Sequence, residues 1–217
     1  MRLVFLHTAE SSIALFDKAA RDANLAALEL THVVRADLLA AAERAGGLSA
    51  AIATQTQAAL LALCKDAHAV VLTCSTLGTA LDDALAARAA PVPVLRADAA
   101  LAHRAVKNGG TVAVLFTAPT TYEPTMQLFL EAATHTGAKV ELKMVDGAWE
   151  RFKAGDSAAY LAAIAAAADA AYANGADVVA LAQASMTGAR GQVTRGKPLT
   201  SPEAAIAAAV HAAALPD

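Results

Sequence analysis

The chain has few of the features that identify common protein classes. Among its 217 residues there are only two cysteines, aromatic residues make up 4% and charged residues 17%. Cys64 ends a helix-forming, leucine-rich run and Cys74 follows a predicted strand, so we do not expect a disulfide between them. We expect two free thiols in a reducing compartment. The six histidines show no metal-ligand spacing, so we expect no metal site.

Charge and hydropathy exclude two kinds of partner. The net charge is -3 and the Lys and Arg residues are scattered, which gives no electrostatic footprint for nucleic acid. The apolar run Leu3–Leu6 is too short for a signal peptide, and the alanine-rich stretch 158–168 is a poor membrane span because Asp169 interrupts it. We therefore expect a cytoplasmic protein without membrane or nucleic-acid partners. The sequence leaves open whether it forms a homo-oligomer.

Short apolar segments alternate with long segments rich in Ala and Leu. The former are typical of buried parallel strands and the latter of helices, so the pattern predicts an α/β fold. In the first half the predicted strands are Leu3–Leu6, Glu29–Val34, Ala69–Leu72 and Val92–Leu95. In the second half they are Thr111–Phe116, Lys139–Met144, Asp177–Leu181 and Pro198–Thr200.

The two halves of the sequence are copies of each other. A shift of 109 positions aligns residues 2–78 with residues 111–187 without a gap, and it places Cys74 on Gln183. This repeat predicts two pseudo-symmetric lobes, each a four-stranded parallel sheet flanked by helices, with an active site between the lobes. We expect the first lobe to span residues 1–96 and the second 97–201. We also expect a C-terminal helix, 202–217, to pack on the first lobe.

Hydroxyl groups are concentrated after the first and third predicted strands of each lobe. Ligands of parallel sheets gather at the carboxyl ends of strands, and hydroxyls together with loop amides are good receptors for a carboxylate. The candidate substrate-binding residues are Thr8, Ser11, Ser12, Ser75, Thr76, Thr117, Thr120, Thr121 and Ser185. The alternative for any one of them is a helix N-cap, which prefers the same residue types.

Two ring side chains near these loops are further candidates. The hydroxyl of Tyr122 follows the second-lobe loop and could bind a carboxylate, although a partly buried interface position fits it equally. His7 is predicted to lie on the first loop, where it could act as an alternative acid or base.

These residues resemble the aspartate/glutamate/hydantoin racemase superfamily, which also includes maleate isomerase and arylmalonate decarboxylase. The resemblance rests on the two lobes and on Thr73–Gly78 after the third strand. It also rests on Phe116–Thr125, which is similar to the family's second-lobe carboxylate-binding loop, and on Leu181–Met186, which lies where the family usually has a cysteine. It implies a small carboxylate substrate and no cofactor.

The resemblance also implies a role for the pair Cys74 and Gln183. Racemases of this family use one cysteine on each face of the substrate, and a thiol suits the task because its ordinary pKa of about 8.5 allows both protonation states. Here Cys74 matches the first cysteine and Gln183 replaces the second. An amide cannot transfer a proton at neutral pH but can stabilise an enediolate oxygen. Arylmalonate decarboxylase also has a single cysteine, but in the second lobe.

Three function classes follow. The first is a cofactor-independent racemase or isomerase in which Cys74 transfers a proton at a carbon next to a carboxylate. The second is a decarboxylase or other lyase with protonation from one face, and the third is a non-catalytic protein that binds a small carboxylate. The sequence does not identify the substrate.

Overall fold

Each half of the chain forms a four-stranded sheet in which all strands are parallel. The structure, a computed structural model, describes residues 1–25, 28–81 and 90–215. The strands are β1 Arg2–His7, β2 Glu29–Val34, β3 Ala69–Leu72, β4 Val94–Arg96, β5 Thr111–Phe116, β6 Lys139–Met144, β7 Val178–Leu181 and β8 Leu199–Thr200. Their order is β2-β1-β3-β4 in one sheet and β6-β5-β7-β8 in the other. The predicted α/β fold with two four-stranded parallel sheets is confirmed.

Helices connect the strands. The α-helices of the described residues are α1 Ser11–Asp22, α2 Ala36–Ala45, α3 Ala50–Leu63, α4 Ala97–Val106, α5 Tyr122–Ala133, α6 Ala148–Lys153, α7 Ser157–Ala173 and α8 Ser201–Ala214. Short 3₁₀ helices are η1 Cys64–Asp66, η2 Ser75–Leu81, η3 Pro119–Thr121 and η4 Ala184–Gln192. Contacts divide the chain into one unit of Met1–Ala100 with Pro202–Asp217 and another of Leu101–Ser201.

The β1–β2 ladder corrects the predicted position of His7. His7 pairs with Val34 and is the last residue of β1, and its carbonyl accepts a hydrogen bond from Arg35 N at 2.8 Å. The polar character of His7 suggested that the strand ended at Leu6. In fact the polar ring is buried and hydrogen-bonded inside the lobe, so polarity was a poor signal for the strand end. The other strand bounds differ from the predicted ones by one or two residues: β1 begins at Arg2, β4 spans Val94–Arg96, β7 begins at Val178 and β8 begins at Leu199.

The central strands of each sheet form its core. The side chains of β3 are all buried, as are those of β5 from Val112 to Phe116, which accounts for their unbroken apolar sequences. In the second lobe, α7 packs on β5 and β7 through small alanines and the larger Tyr160 and Ile164. Alanine allows close approach of helix to sheet.

Strand register determines which residues meet beyond the sheet. Leu6 lies beside Leu72 on the β1–β3 ladder, and Leu115 lies beside Leu181 on the β5–β7 ladder. The chain positions that follow are therefore adjacent in each lobe, Thr8 with Cys74 and Thr117 with Gln183. No described helix is long and apolar enough to cross a membrane.

Candidate functional site

Cys74 lies in the two-residue connection between β3 and η2. It is half-buried, carries a free thiol and packs at the margin of the first lobe's core, near Leu77 and Leu72. Cys64, in contrast, is buried, and its thiol donates to the Leu60 carbonyl at 3.3 Å. Burial raises the pKa of the Cys64 thiol, which disfavours the reactive thiolate. Of the two thiols, only Cys74 is open to a ligand.

Unlike the Thr73 hydroxyl, the predicted substrate-binding hydroxyls of the first lobe have no hydrogen-bond partner within the part of the chain that the structure describes. Thr8, Ser12 and Ser75 are half-buried, whereas Ser11 and Thr76 are exposed. Helix α1 begins after Glu10, without a side-chain cap, so Ser11 and Ser12 lie inside its first turn and do not act as N-caps. The capping alternative therefore does not account for these hydroxyls. They remain available to donate to an anion.

In the second lobe the equivalent position is occupied by an internal acceptor. The side-chain oxygen Oε1 of Gln183 accepts hydrogen bonds from the Thr117 N–H at 2.7 Å, the Thr117 hydroxyl at 2.8 Å and the Ala118 N–H at 3.3 Å. Thr117 is buried, with 1% of its surface exposed. The donors predicted to bind substrate at Thr117 are thus directed to Gln183. They form what we call the Thr117 cradle, composed of Thr117 and Ala118.

The cradle fixes the orientation of the Gln183 amide. Backbone N–H groups can only donate, so the atom facing Thr117 N and Ala118 N must be the oxygen. The amide nitrogen Nε2 then points away from the cradle, and no side chain or carbonyl of the described residues accepts a hydrogen bond from it. Gln183 is half-buried and offers two N–H donors to a ligand.

The hydroxyl of Tyr160 contacts the Thr117 cradle. The hydroxyl of Tyr160 lies 2.8 Å from Ser185 Oγ and 3.4 Å from Thr117 Oγ1. Burial raises the pKa of Tyr160, so the ring remains a neutral hydroxyl. Ser185, a predicted substrate-binding residue, therefore has an internal partner. Nearby on η4, the buried hydroxyl of Thr187 has no hydrogen-bond partner in the described ranges.

The remaining second-lobe candidates lie on η3 and at the start of α5. The Thr121 hydroxyl donates to the Ala118 carbonyl at 2.7 Å and so stabilises the turn. Tyr122 is 40% exposed and its ring packs against Phe116 with centroids 5.7 Å apart. The backbone of Thr120 belongs to η3, but its side chain falls outside the described structure.

Behind the Cys74 loop lies a chain of polar side chains. His7 Nδ1 is 2.8 Å from Thr73 Oγ1, and His7 Nε2 is 2.9 Å from His32 Nδ1. His32 Nε2 is 3.2 Å from Asp17 Oδ1. Because both ring nitrogens of His7 are occupied and the ring is fully buried, His7 cannot contact substrate directly as the sequence suggested it could.

The environment of His7 determines its protonation. Burial, and secondarily the neighbouring His32, lower the pKa of His7 from 6.5 to about 4, while Asp17 acts in the opposite direction. The rings of Phe5 and Phe16 pack on His7 at 6.0 and 5.2 Å between centroids and exclude water. His7 is therefore neutral at physiological pH.

Several of these residues carried no strong signal in the sequence. His32 is one of three polar residues in β2, whose residues are exposed or half-buried, and Tyr160 is a single aromatic residue near the start of the alanine-rich α7. The lone ring in α7 is a signal that could have identified Tyr160, whereas the sequence of β2 gives no comparable signal for His32. Within the described ranges, no three His, Cys, Asp or Glu side chains form a set suited to a metal.

Comparison with known protein families identifies one family for this chain. The sequence model of Asp/Glu/Hydantoin racemase matches residues 6–210. No curated protein sequence matches the chain. Among solved structures, an aspartate racemase homologue from Pyrococcus horikoshii OT3 has a TM-score of 0.71 at 15% identity, covering 99% of both chains.

Two other solved structures represent different reactions on the same fold. Allantoin racemase from Klebsiella pneumoniae has a TM-score of 0.70 at 16% identity, over 97% of this chain and 86% of that one. Arylmalonate decarboxylase has a TM-score of 0.65 at 17% identity, over 99% of this chain and 93% of that one. At these identities the likeness shows the fold.

Replacement of Gln183 by Met tests the Thr117 cradle. Methionine has a similar length but no acceptor, so it leaves buried N–H groups of Thr117 and Ala118 unpaired, and we expect a loss of about 1 to 3 kcal/mol in the free energy of unfolding. Gln183→Glu is the matched control, because a carboxylate oxygen restores the acceptor and should retain most of the stability at pH 7. Urea unfolding measures both. Equal stability of the Met variant and the natural protein would contradict the cradle.

The depressed pKa of His7 predicts acid sensitivity. Unfolded His7 takes up a proton near pH 6.5, whereas folded His7 does so only near pH 4. Its contribution is therefore fully present above pH 6.5 and is lost as the pH falls towards 4, by about 3 kcal/mol in total. His7→Phe introduces the residue found at the equivalent Phe116. Urea unfolding at several pH values should show a correspondingly weaker pH dependence for this variant, and an unchanged dependence would contradict a neutral His7.

Proposed function

The chain belongs to the Asp/Glu/hydantoin racemase family, and we propose that it is a cofactor-independent racemase or isomerase that transfers a proton at a carbon next to a carboxylate. Cys74 is the group that we propose transfers the proton. One observation carries this proposal: the half-buried free thiol follows a parallel strand at the same end of the sheet as Thr8, Ser12 and Ser75, whose hydroxyls have no partner among the described residues.

The proposed substrate carboxylate binds to neutral donors around Cys74. The hydroxyls of Thr8, Ser12 and Ser75 follow β1 and β3, which are neighbours in the sheet, so all three lie at the same edge. Charge-assisted hydrogen bonds from such groups bind an anion without a buried cation. They also stabilise the enediolate that forms when the α-proton leaves, because its charge develops on the same carboxylate oxygens.

We propose that Cys74 acts as thiolate base and then as thiol acid. The thiolate takes the proton from the α-carbon, and the C–H electron pair moves into the carboxylate to give an enediolate. The thiol so formed returns the proton. When the proton returns to a different carbon of a conjugated system, the result is an isomerisation that one thiol catalyses from one face.

Gln183 is proposed to stabilise negative charge and not to transfer protons. Its oxygen is held by Thr117 and Ala118, so its Nε2 donors are the part that can reach a ligand. Racemisation through both faces would need a second acid or base. His7 does not fill that role directly, because its ring is buried and both nitrogens are engaged.

A single-cysteine decarboxylase is the second candidate, and the fixed amide of Gln183 favours it. In that reaction the substrate loses carbon dioxide, the bonding electrons remain as an enediolate, and Cys74 protonates the carbon from one face. The fold is shared with arylmalonate decarboxylase. We further propose that the protein works in the cytoplasm, where both thiols would remain reduced.

Cys74→Ala tests the proposed role, with Cys64→Ala as the matched control. The substrate is first sought by thermal shift with dicarboxylates, amino acids, hydantoins and malonates, because a ligand at 100 times its dissociation constant stabilises by about 2.7 kcal/mol. We expect Cys74→Ala to bind this ligand with turnover reduced at least about a thousandfold. Cys64→Ala should retain turnover and lose only about 1 to 2 kcal/mol of stability. Turnover by folded Cys74→Ala would reject the mechanism.

Gln183→Cys tests the proposed one-face chemistry. The variant restores a thiol at the position equivalent to Cys74, so we expect it to create or increase racemisation of the α-carbon. Gln183→Ser, which has a short hydroxyl and cannot act as a thiol acid, is the control for loss of the amide alone. Chiral chromatography of the product measures both. A Cys variant that racemises no faster than the Ser variant would contradict the proposal.

A further inference from the structure

The polar chain behind the Cys74 loop is confined to one lobe. In the repeat, the positions of Asp17, His32, His7 and Thr73 correspond to Met126, Glu141, Phe116 and Ala182. The second lobe therefore replaces the inner pair His7 and Thr73 by two apolar residues while keeping the same fold. These four polar side chains are therefore not needed to build a lobe of this type. They occur only in the lobe that contains Cys74.

From these contacts we propose that Thr73, His7, His32 and Asp17 form a proton relay between the Cys74 loop and the surface groove at Asp17. His7 and Thr73 are positioning residues in this relay, since they act through the loop and not on the substrate. The role that we give the relay, which is to exchange the proton that Cys74 gains or loses, rests on the proposed function. The hydrogen bonds of the relay are present whether or not that function is correct.

In the neutral state every hydrogen bond can run in one direction. In this arrangement the Thr73 hydroxyl donates to His7 Nδ1 at 2.8 Å in preference to the Leu6 carbonyl at 3.2 Å. His7 Nε2–H then donates to His32 Nδ1, and His32 Nε2–H donates to the Asp17 carboxylate. This direction needs no additional proton, and the acceptor at its end is an anion. A neutral His7 agrees with the effect of burial on that ring.

One additional proton reverses the chain. A proton arriving on Thr73 Oγ1 releases the original hydroxyl proton to His7 Nδ1, and His7 passes its Nε2 proton to His32 Nδ1. His32 becomes an imidazolium beside Asp17, and the Thr73 hydroxyl can then donate to the Leu6 carbonyl at 3.2 Å. For each O–H or N–H bond that breaks, a new one forms at the next group, and the four side chains together hold one proton more than before.

The surroundings suit such a relay. The rings of Phe5 and Phe16 cover His7, so protons enter only at the ends. The titratable groups facing His7 are His32 from β2 and Asp17 from α1, while β3 contributes the uncharged Thr73. Asp17 lines a groove of about 430 Å³ together with Arg21. Its side chain is 38% exposed, which connects the chain to solvent.

Nitrogen NMR of histidine side chains tests the direction of the relay in the intact protein. At pH 7.5 we expect the His7 proton on Nε2, and after the relay has taken up one additional proton in acid we expect it on Nδ1. Asp17→Asn keeps an acceptor but removes the charge, and should shift this transition to lower pH by about one unit. Asp22→Asn is the matched control: Asp22 lies on the same helix but is not part of the relay, so this variant should leave the pH of the transition unchanged. A His7 proton on Nδ1 at pH 7.5, or an unshifted transition in Asp17→Asn, would overturn the relay.

Alkylation of Cys74 by iodoacetamide tests whether the relay reaches the thiol without requiring a substrate. The rate of a simple thiol falls tenfold per pH unit in acid, because the thiolate reacts. We expect the Cys74 rate to depart from this line at the pH of the His7 transition, in the natural protein and in Thr73→Ser but not in Thr73→Val. A straight line through the transition would overturn the relay. The proposed function would survive that result, because turnover with Cys74 alone tests it separately.

Discussion

The parallel register of the central strands determines which side chains meet at the edge of each sheet. With Leu6 beside Leu72 and Leu115 beside Leu181, the positions two residues later come together in both lobes. A slip of one residue would separate these positions and turn each side chain of the shifted strand to the other face of the sheet. The site therefore depends on the register.

The same fold therefore places different side chains at the carboxyl ends of the strands in the two lobes. In the first lobe, Cys74 shares the carboxyl end of the sheet with the hydroxyls of Thr8 and Ser75, which have no partner in the described residues, and the buried His7 contacts the neighbouring Thr73. In the second lobe, the amide oxygen of Gln183 fills the cradle of backbone and hydroxyl donors at Thr117. The oxygen of Gln183 thus pairs with the buried donors of Thr117, and its amide nitrogen carries two further N–H donors that point away from Thr117. The two lobes are alike in fold and different in chemistry.

The sequence predicted the architecture well, and its signals explain why. Apolar strands such as Ala69–Leu72 and Thr111–Phe116 are bounded by turns, and their alternation with alanine-rich helices leaves few other folds. The strand ends were less predictable, because a buried hydrogen-bonded histidine has the same local signature as an exposed one. His7 was therefore assigned to a loop, and its link to His32 depends on pairing across 25 residues.

The sequence indicated where the candidate side chains lie in the fold better than it indicated their hydrogen-bond partners. Placing hydroxyls at the strand ends requires only topology, whereas the direction of each hydrogen bond depends on side-chain geometry. Thr117 illustrates the difference, because sequence reasoning assigned its donors to a substrate and the structure gives them to Gln183. Tyr160 lies on a helix far along the chain and contacts the loop only through the tertiary fold.

In the proposed mechanism a single thiol transfers the proton while Gln183 stabilises the negative charge. Turnover in deuterated water, followed by separation of the enantiomers and mass spectrometry, tests it most directly. One-face protonation predicts solvent deuterium at the reacting carbon in one configuration only, with the label absent after Cys74→Ala. Rapid and equal labelling of both enantiomers by the natural protein would show that a second acid or base operates. The protein would then be a racemase, and proton transfer by one thiol alone would be contradicted.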